Sequence, residues 1–184
     1  MKENVYERKV ITLKNGLKQE YFLDSSIYIP LTRDGKIFVN EKRFNKLKLN
    51  EQRAIIYHER GHLKKTNILF LELSNYFFIL LLIGIIFMIE ALFLLIIYIL
   101  SKCFPLMIIF FLGISFFLVG FLGVLTFRWM SEIMCDFNAV KNMGKSSIIN
   151  ALKKAYENKK FELWRDLVAH PPHKLRISII KELD

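Results

Sequence analysis

The sequence is poor in cysteine and, over two long stretches, it lacks charged residues. Asp, Glu, Lys, Arg and His are absent from residues 104–127, and residues 76–100 contain only Glu90. Each stretch exceeds the ~20 apolar residues that cross a hydrocarbon core of ~30 Å. We therefore predict two transmembrane helices, spanning about 76–100 and 104–127, instead of a buried helix pair in a soluble protein.

The segment between the two predicted spans, residues 101–105, is long enough only for a tight turn. The two spans therefore form a hairpin, and residues 1–75 lie on the same side of the membrane as residues 128–184. That side carries all of the 27 Lys and Arg residues except Lys102. Because basic residues favour the cytoplasmic side, we predict a multi-pass protein of the cell membrane with two spans and both termini in the cytoplasm.

The other absences narrow the choice of compartment and partner. The only two cysteines, Cys103 and Cys135, fall on opposite sides in this topology, which prevents their pairing and fits a reduced cytoplasmic setting. The N-terminus lacks the apolar core of a signal peptide, so we expect the first span to act as the targeting signal.

The net charge of +10 is not arranged as a basic patch interleaved with aromatics, which argues against nucleic acid as a partner. Attraction to anionic headgroups accounts for the charge and makes the lipid bilayer the expected partner.

Turn signals near the N-terminus predict two pairs of strands. A hairpin over residues 7–23 turns at Asn15-Gly16, a pair that favours the positive φ of a tight turn. A second pair, 26–29 with 36–39, turns at Asp34-Gly35. These strands form a small N-terminal antiparallel sheet.

The rest of the chain reads as helix. The predicted helices are a short turn at 44–47, a helix capped by Asn50 that runs to His62, a continuation of the second span to about Met143 with Gly144 ending it, and helices at 146–158, 161–168 and 174–182. The fold class is therefore α+β and mostly helical, interrupted by the two-helix hairpin. We divide it into residues 1–67, the transmembrane hairpin 68–127, and residues 128–184.

Residues His58, Glu59 and His62 form an HExxH motif within the predicted helix at 51–62. Residues four apart share a helix face, so both imidazoles can reach one ion. Zinc accepts neutral imidazole nitrogens, and the intervening glutamate can take a proton from a water beside the metal. The motif predicts metal-assisted hydrolysis of a peptide bond, although so short a pattern also arises by chance.

A catalytic zinc needs a third protein ligand, and Glu132 and Asp136 are the best candidates to provide it. They are four apart on the helix that continues the second predicted span, and so they share a face. A solvated helix also carries such pairs without any function. Their position next to the membrane exit, on the same side as the HExxH helix, favours the functional interpretation.

Three segments of the chain resemble the membrane metallopeptidases of the HtpX and CAAX prenyl protease type. They are Leu49 to His62, Arg128-x-x-x-Glu132-x-x-x-Asp136, and His170-Pro171-Pro172-x-x-x-Arg176-Ile177. The placement of a hairpin between the first two segments is also similar to HtpX. The resemblance implies a zincin-like catalytic domain of the gluzincin class with Zn²⁺ as cofactor.

The resemblance also implies a role for each matching residue. His58, His62 and Glu132 would be the metal ligands, and Glu59 and His170 the catalytic residues. Glu59 would act as general base, and His170 would donate a hydrogen bond to the transition-state oxyanion. Asp136 would orient His58. Arg176 would lie next to these residues without binding the metal itself.

Some features depart from this pattern. Cys135 stands where the family usually has Ala before the Asp, which is more like the BlaR-type sensor peptidases. HtpX typically has four spans, whereas this chain has two, and the large chamber of the prenyl proteases is missing. Cys135 could also be considered as a metal ligand, but we expect it to point elsewhere and pack as a small residue.

The predicted function is a membrane-anchored zinc metalloendopeptidase that hydrolyses membrane or cytosolic proteins at the cytoplasmic face, with membrane protein quality control as one role. The resemblance implies that the strand at 36–39 is an edge strand to which an extended peptide or protein substrate could add. An ordinary amphipathic strand is the alternative, and the sequence does not decide between the two. The main alternative is a BlaR-like sensor with regulatory or self-directed proteolysis. An intramembrane protease is disfavoured because HExxH lies well before Tyr76. A scaffold with a chance motif is disfavoured by the three ordered segments. The substrate and the oligomeric state stay open.

Overall fold

The structure is a computed structural model that describes residues 6–101, 105–156 and 170–183. It separates into two compact units. The first unit combines residues 1–68 with residues 131–184, and the second consists of residues 69–130. The segment before the apolar helices and the segment after them therefore belong to one unit.

The described residues form four strands and six helices. They are β1 (Glu7–Thr12), β2 (Lys18–Leu23), β3 (Leu31–Arg33), β4 (Lys36–Val39), α1 (Glu41–Phe44), α2 (Leu49–His62), α3 (Lys65–Ser101), α4 (Pro105–Met143), α5 (Lys145–Ala155) and α6 (His173–Glu182). The first unit is thus α+β and mostly helical, which confirms the predicted class. The helix predicted at 161–168 lies outside the described residues.

The four strands form one sheet in the order β1-β2-β4-β3. β1 pairs antiparallel with β2, and β3 pairs antiparallel with β4, but β2 and β4 run parallel. The prediction of a purely antiparallel sheet is therefore wrong, because two hairpins joined through their second strands place those strands side by side in the same direction. The predicted strand at 26–29 is also wrong, since the strand that pairs with β4 is Leu31–Arg33.

Both predicted turns are confirmed by their backbone. Gly16 has φ +79° in the β1–β2 turn, and Asp34 and Gly35 have φ 51° and 71° in the β3–β4 turn. Two successive residues with positive φ match the twist of a tight hairpin, which is why Asp-Gly suits this position.

The sheet also has a different edge from the one predicted. β4 lies between β2 and β3, so β3 is the edge strand on that side of the sheet.

Helix α2 packs its apolar residues into the core of the first unit. Ala54, Ile55, Ile56 and Tyr57 are buried there with residues of β4, α4, α5 and α6. The helix begins one residue before the predicted cap. Lys48 is the N-cap, and its backbone N–H donates to Glu51 Oε2 at 2.8 Å. The N-cap predicted at Asn50 is therefore wrong, and Glu51 at the N3 position accepts the hydrogen bond from the N-cap N–H.

Helix α4 ends at Met143, where Gly144 adopts φ +80°. The last residue of α4 and the glycine that follows it both match the prediction. Glycine ends the helix there because it adopts positive φ without steric cost. Helix α5 follows at once and buries Ile148, Ala151 and Leu152. Helix α5 packs on α2, and α6 packs on α5.

The second unit consists of the apolar parts of α3 and α4. Among the described residues, Lys65–Glu90 and Phe111–Met143 are long and apolar enough to cross a membrane. Only 11% and 17% of the two apolar windows are buried, which is unlike the central helices of a soluble core. A Cβ at Gly120 would lie 2.5 Å from Leu81 N, and one at Gly84 would overlap Phe117. Glycine therefore allows the two helices to approach closely in this unit.

Candidate metal centre

Helix α2 carries the HExxH residues near its C-terminal end. His58 and Glu59 are 6% and 4% exposed, and His62 is partly buried. The imidazoles of His58 and His62 have ring centroids 5.2 Å apart. One helical turn separates the two residues, so both rings lie on the same face as the spacing predicts.

Helix α4 directs Glu132 and Asp136 toward those two imidazoles. Glu132 Oε2 lies 3.6 Å from His58 Nε2, and Glu132 Oε1 lies 3.4 Å from His62 Nε2. Asp136 Oδ1 lies 2.9 Å from His58 Nδ1. His58 therefore faces Asp136 with one ring nitrogen and Glu132 with the other.

These distances suit a tetrahedral metal ion. Two ligands of a zinc with bonds of ~2.0–2.1 Å stand roughly 3.3–3.4 Å apart, which is close to both distances from Glu132 to the imidazole nitrogens. Glu132 Oε2 is buried and makes no hydrogen bond to any residue that the structure describes. Its nearest cationic neighbour is Arg176 Nη1 at 3.3 Å, an ion pair without a hydrogen bond. A buried carboxylate oxygen without a hydrogen bond is costly, and a cation held by His58, His62 and Glu132 lowers that cost. The residues present therefore fit a zinc ion.

A second grouping of ligand atoms includes Cys135. One candidate ligand atom each from His58, His62 and Cys135 lies within 4.8 Å of the others. However, Cys135 Sγ accepts a hydrogen bond from Asn67 Nδ2 at 3.0 Å. It also lies where a Cβ on Gly61 would be, at 2.8 Å. The thiol packs between α2 and α4, whereas each oxygen of Glu132 faces an imidazole Nε2.

Arg176 of helix α6 holds the carboxylate that orients His58. Its Nε and Nη2 donate to the two oxygens of Asp136 at 2.8 and 2.7 Å, and its Nη1 lies 3.3 Å from Glu132 Oε2. The same Nη1 donates to the Tyr156 hydroxyl at 3.3 Å. Because a bidentate guanidinium fixes the plane of a carboxylate, Arg176 fixes Asp136, and Asp136 fixes the ring of His58.

His170 reaches the same carboxylate from the segment before α6. Its Nδ1 lies 3.1 Å from Glu132 Oε1, and its side chain is 35% exposed. Pro171 is fully buried directly after it. His170 therefore places a partly exposed imidazole next to the Glu132 carboxylate.

The pKa values of the His58 and His62 imidazoles shift in opposite directions. Burial lowers the pKa of His58, but the hydrogen bond to Asp136 and the carboxylate of Glu132 outweigh burial and raise that pKa to about 10. Burial and the charge of His58 lower the pKa of His62. Without a metal, the raised pKa of His58 therefore favours its protonated form, whereas the lowered pKa of His62 favours its neutral form.

The structure thus brings together six of the seven residues predicted for the site. Side-chain contacts join His58, His62, Glu132, Asp136, His170 and Arg176. Glu59 follows His58 on α2 and has a different neighbour, since its Oε2 accepts a hydrogen bond from Thr32 Oγ1 at 2.9 Å.

Three neighbours of the site were missed from the sequence. Thr32 bonds Glu59, the Tyr156 hydroxyl accepts from Arg176, and Asn67 Nδ2 donates to the Gly61 carbonyl at 2.6 Å as well as to Cys135. None of them belongs to a motif with a fixed spacing. Burial raises the pKa of Tyr156 to about 12, so its hydroxyl stays neutral beside Arg176.

An HExxH helix whose histidines face a carboxylate from a second helix defines a metallopeptidase. A family model described as Peptidase family M48 matches residues 28–184. The chain therefore belongs to peptidase family M48. No curated protein and no solved structure matches the chain.

Proposed function

We propose that the protein is a zinc-dependent endopeptidase anchored in the cell membrane, with its active site at the cytoplasmic face. The observation that carries this proposal is the contact of Glu132 with both HExxH imidazoles, at 3.4 and 3.6 Å. Those distances suit one tetrahedral zinc held by His58, His62 and Glu132. The finer resemblance to HtpX-type enzymes agrees with this ligand set.

Zinc, when bound, supplies a Lewis acid that polarises the scissile carbonyl and lowers the pKa of a water. Glu59 takes the proton from the attacking water and passes it to the leaving amine. His170 donates a hydrogen bond to the oxygen on which charge develops. Asp136 keeps His58 in the tautomer that leaves Nε2 free, and Arg176 keeps Asp136 ionised and in plane.

The proposed location rests on α3 and α4. Both have an apolar stretch long enough to span a bilayer, and all Lys and Arg residues but Lys102 come before the first predicted span or after the second. A site so close in sequence to the membrane exit suits loops of membrane proteins or unfolded cytosolic proteins as substrates. β3, the edge strand, is the strand to which an extended substrate would add.

The test is metal analysis and casein cleavage by detergent-purified protein. We expect one zinc per chain in both the wild type and Glu59→Gln, with cleavage lower by at least two orders of magnitude in the variant, since general acid–base catalysis contributes ~10²–10⁴-fold. Glu7→Gln, a change on the exposed end of β1, is the matched control and should leave cleavage unchanged. Equal cleavage by wild type and Glu59→Gln, or a wild type without metal, would refute the proposal.

A second pair of variants decides the third ligand. We expect Glu132→Ala to lose zinc under dialysis that the wild type withstands, because two imidazoles alone hold the metal weakly. Cys135→Ala should keep its zinc, since the thiol is turned toward Asn67 and Gly61. Zinc loss from Cys135→Ala but not from Glu132→Ala would assign the third ligand to the thiol.

A second candidate function is a sensor peptidase that cleaves itself or a regulator. The Cys135-Asp136 pair, which is similar to BlaR-type proteins, favours it. Specific fragments from purified wild type that are missing with Glu59→Gln, together with no cleavage of added casein, would support this candidate over a general endopeptidase.

A further inference from the structure

The carboxylate of Glu59 is held by a residue of the sheet. Thr32 Oγ1 lies 2.9 Å from Glu59 Oε2 and 3.1 Å from the backbone oxygen of Glu59. The hydroxyl has one hydrogen, so it is shared between the two acceptors. Among the residues that the structure describes, Thr32 is the only side chain that donates a hydrogen bond to this carboxylate.

The register of β3 explains why Thr32 faces α2. Thr32 pairs with Ile37, and its neighbours Leu31 and Arg33 pair with Phe38 and Lys36. Side chains alternate along a strand, so Thr32 shares a face with Ile37, which is 1% exposed in the core.

Arg33 points to the other face, where its guanidinium lies 5.1 Å from the centroid of the Phe38 ring. Thr32 is thus a polar residue on the core-facing side of the edge strand, and its side chain contacts Glu59.

A threonine is well suited to this task. Its β-branched side chain has few rotamers in a strand, so the hydroxyl stays where the backbone of β3 directs it. Binding Oε2 restricts rotation of the carboxylate and leaves Oε1 free of hydrogen bonds from the described residues. A general base must stand within ~2.6–3.2 Å of the proton that it removes, so a fixed carboxylate rotamer matters for the rate.

We propose that Thr32 is a positioning residue of this peptidase, which fixes the Glu59 carboxylate for proton transfer through a hydrogen bond from the edge strand. The proposal rests on the proposed peptidase function. It makes β3 serve two purposes, because the strand that borders an extended substrate also sets the orientation of the base. Thr32 itself does not touch the reacting atoms.

The test compares zinc-loaded wild type, Thr32→Val and Thr32→Ser, with fluorescein-labelled casein as substrate. Valine keeps the shape and removes the hydroxyl, whereas serine keeps the hydroxyl. We expect Thr32→Val to lower kcat about tenfold or more, the effect of losing one hydrogen bond to a charged group. KM and zinc content should stay within twofold, and Thr32→Ser should retain kcat within about threefold. The control is Thr12→Val, an exposed threonine on β1, which should not change either constant.

A measurement without turnover accompanies the kinetics. Hydrogen exchange of the β3 amides should be faster in Thr32→Val than in wild type or Thr32→Ser, because the bond to α2 is lost. If Thr32→Val does not fold, Thr32→Ala against Thr32→Ser provides the same comparison.

Active wild type with an equally active Thr32→Val overturns the positioning role alone. So does a change in KM only, or a serine variant as slow as the valine variant. Wild type that binds zinc and cleaves nothing overturns the proposed function, and the role of Thr32 with it.

Discussion

At the scale of single residues, Gly61 lies at a close approach of the two helices that hold the site. A Cβ there would lie 2.8 Å from Cys135 Sγ and 2.9 Å from Cys135 Cα. Because backbone cannot move aside as a flexible side chain can, we expect Gly61→Ala to lower the free energy of unfolding by about 1–3 kcal/mol. It should also weaken zinc binding, since α2 must shift away from Glu132.

Thermal unfolding in detergent and zinc content measure these effects. Arg60→Ala, at the neighbouring and partly exposed position, is the control and should change the Tm little. Cys135→Ala combined with Gly61→Ala should restore only part of the loss, because the contact with Cys135 Cα persists. A Gly61→Ala protein as stable as wild type would contradict the close approach.

The second prediction at this scale concerns pH and His58. Its pKa in the metal-free fold is raised to about 10, above the ordinary value of 6.5. Protonation of His58 therefore stabilises the metal-free fold fully below pH 6.5, and this contribution is lost as the pH rises from 6.5 to 10. We expect the Tm of the metal-free protein to fall across that window, and to fall less in His58→Gln.

Zinc binding should have the opposite effect on the pH dependence of the Tm, because zinc binds only the neutral imidazole. The Tm of the protein in excess zinc, measured over the same window, should therefore rise relative to that of the metal-free protein. Parallel curves with and without zinc would contradict the assignment of His58 as a ligand.

At the scale of elements, the start of α2 is tied to α5 by one carboxylate. Glu51 is 5% exposed, and its Oε2 accepts from Lys48 N and from Lys154 Nζ at 2.8 and 2.7 Å. We expect Glu51→Ala to lower the free energy of unfolding by about 1–2 kcal/mol, because the backbone N–H of Lys48 loses its acceptor and Lys154 loses its partner. Denaturant unfolding measures the loss, and Glu41→Ala on the exposed first turn of α1 should cost less than half as much. Equal losses in the two variants would show that the cap contributes nothing specific.

The elements also show how much of the architecture could be predicted. The motif helix, both turns, the end of α4 at Met143 and the shared face of Glu132 and Asp136 follow from local periodicity and from Gly or Asn-Gly signals. The parallel pairing of β2 with β4 could not be predicted, because it joins strands of different hairpins and leaves no local pattern. The contact of Thr32 with Glu59 escaped for the same reason. The N-cap Lys48 was missed because Asn50 is the stronger capping residue by type.

At the scale of the whole molecule, the two apolar helices and the distribution of charge lead to a topology prediction. We expect the protein to stay in the membrane fraction after carbonate washing. A membrane-impermeant maleimide should label Cys103 in intact cells. In a Cys103→Ser background, Lys14→Cys and Lys181→Cys should be labelled only after permeabilisation, because both positions are exposed and predicted to be cytoplasmic. Labelling of these two variants in intact cells would reverse the orientation.

The division of the first unit into residues 1–68 and 131–184 has a consequence for biosynthesis. A ribosome releases His58 and His62 first, then the apolar helices, and only afterwards Glu132, Asp136 and Arg176. With Glu132 as the proposed third ligand, the nascent chain would have only two of the three metal ligands until both apolar helices have been synthesised. The proposed peptidase activity would therefore begin only after the second half of the first unit has followed the apolar helices.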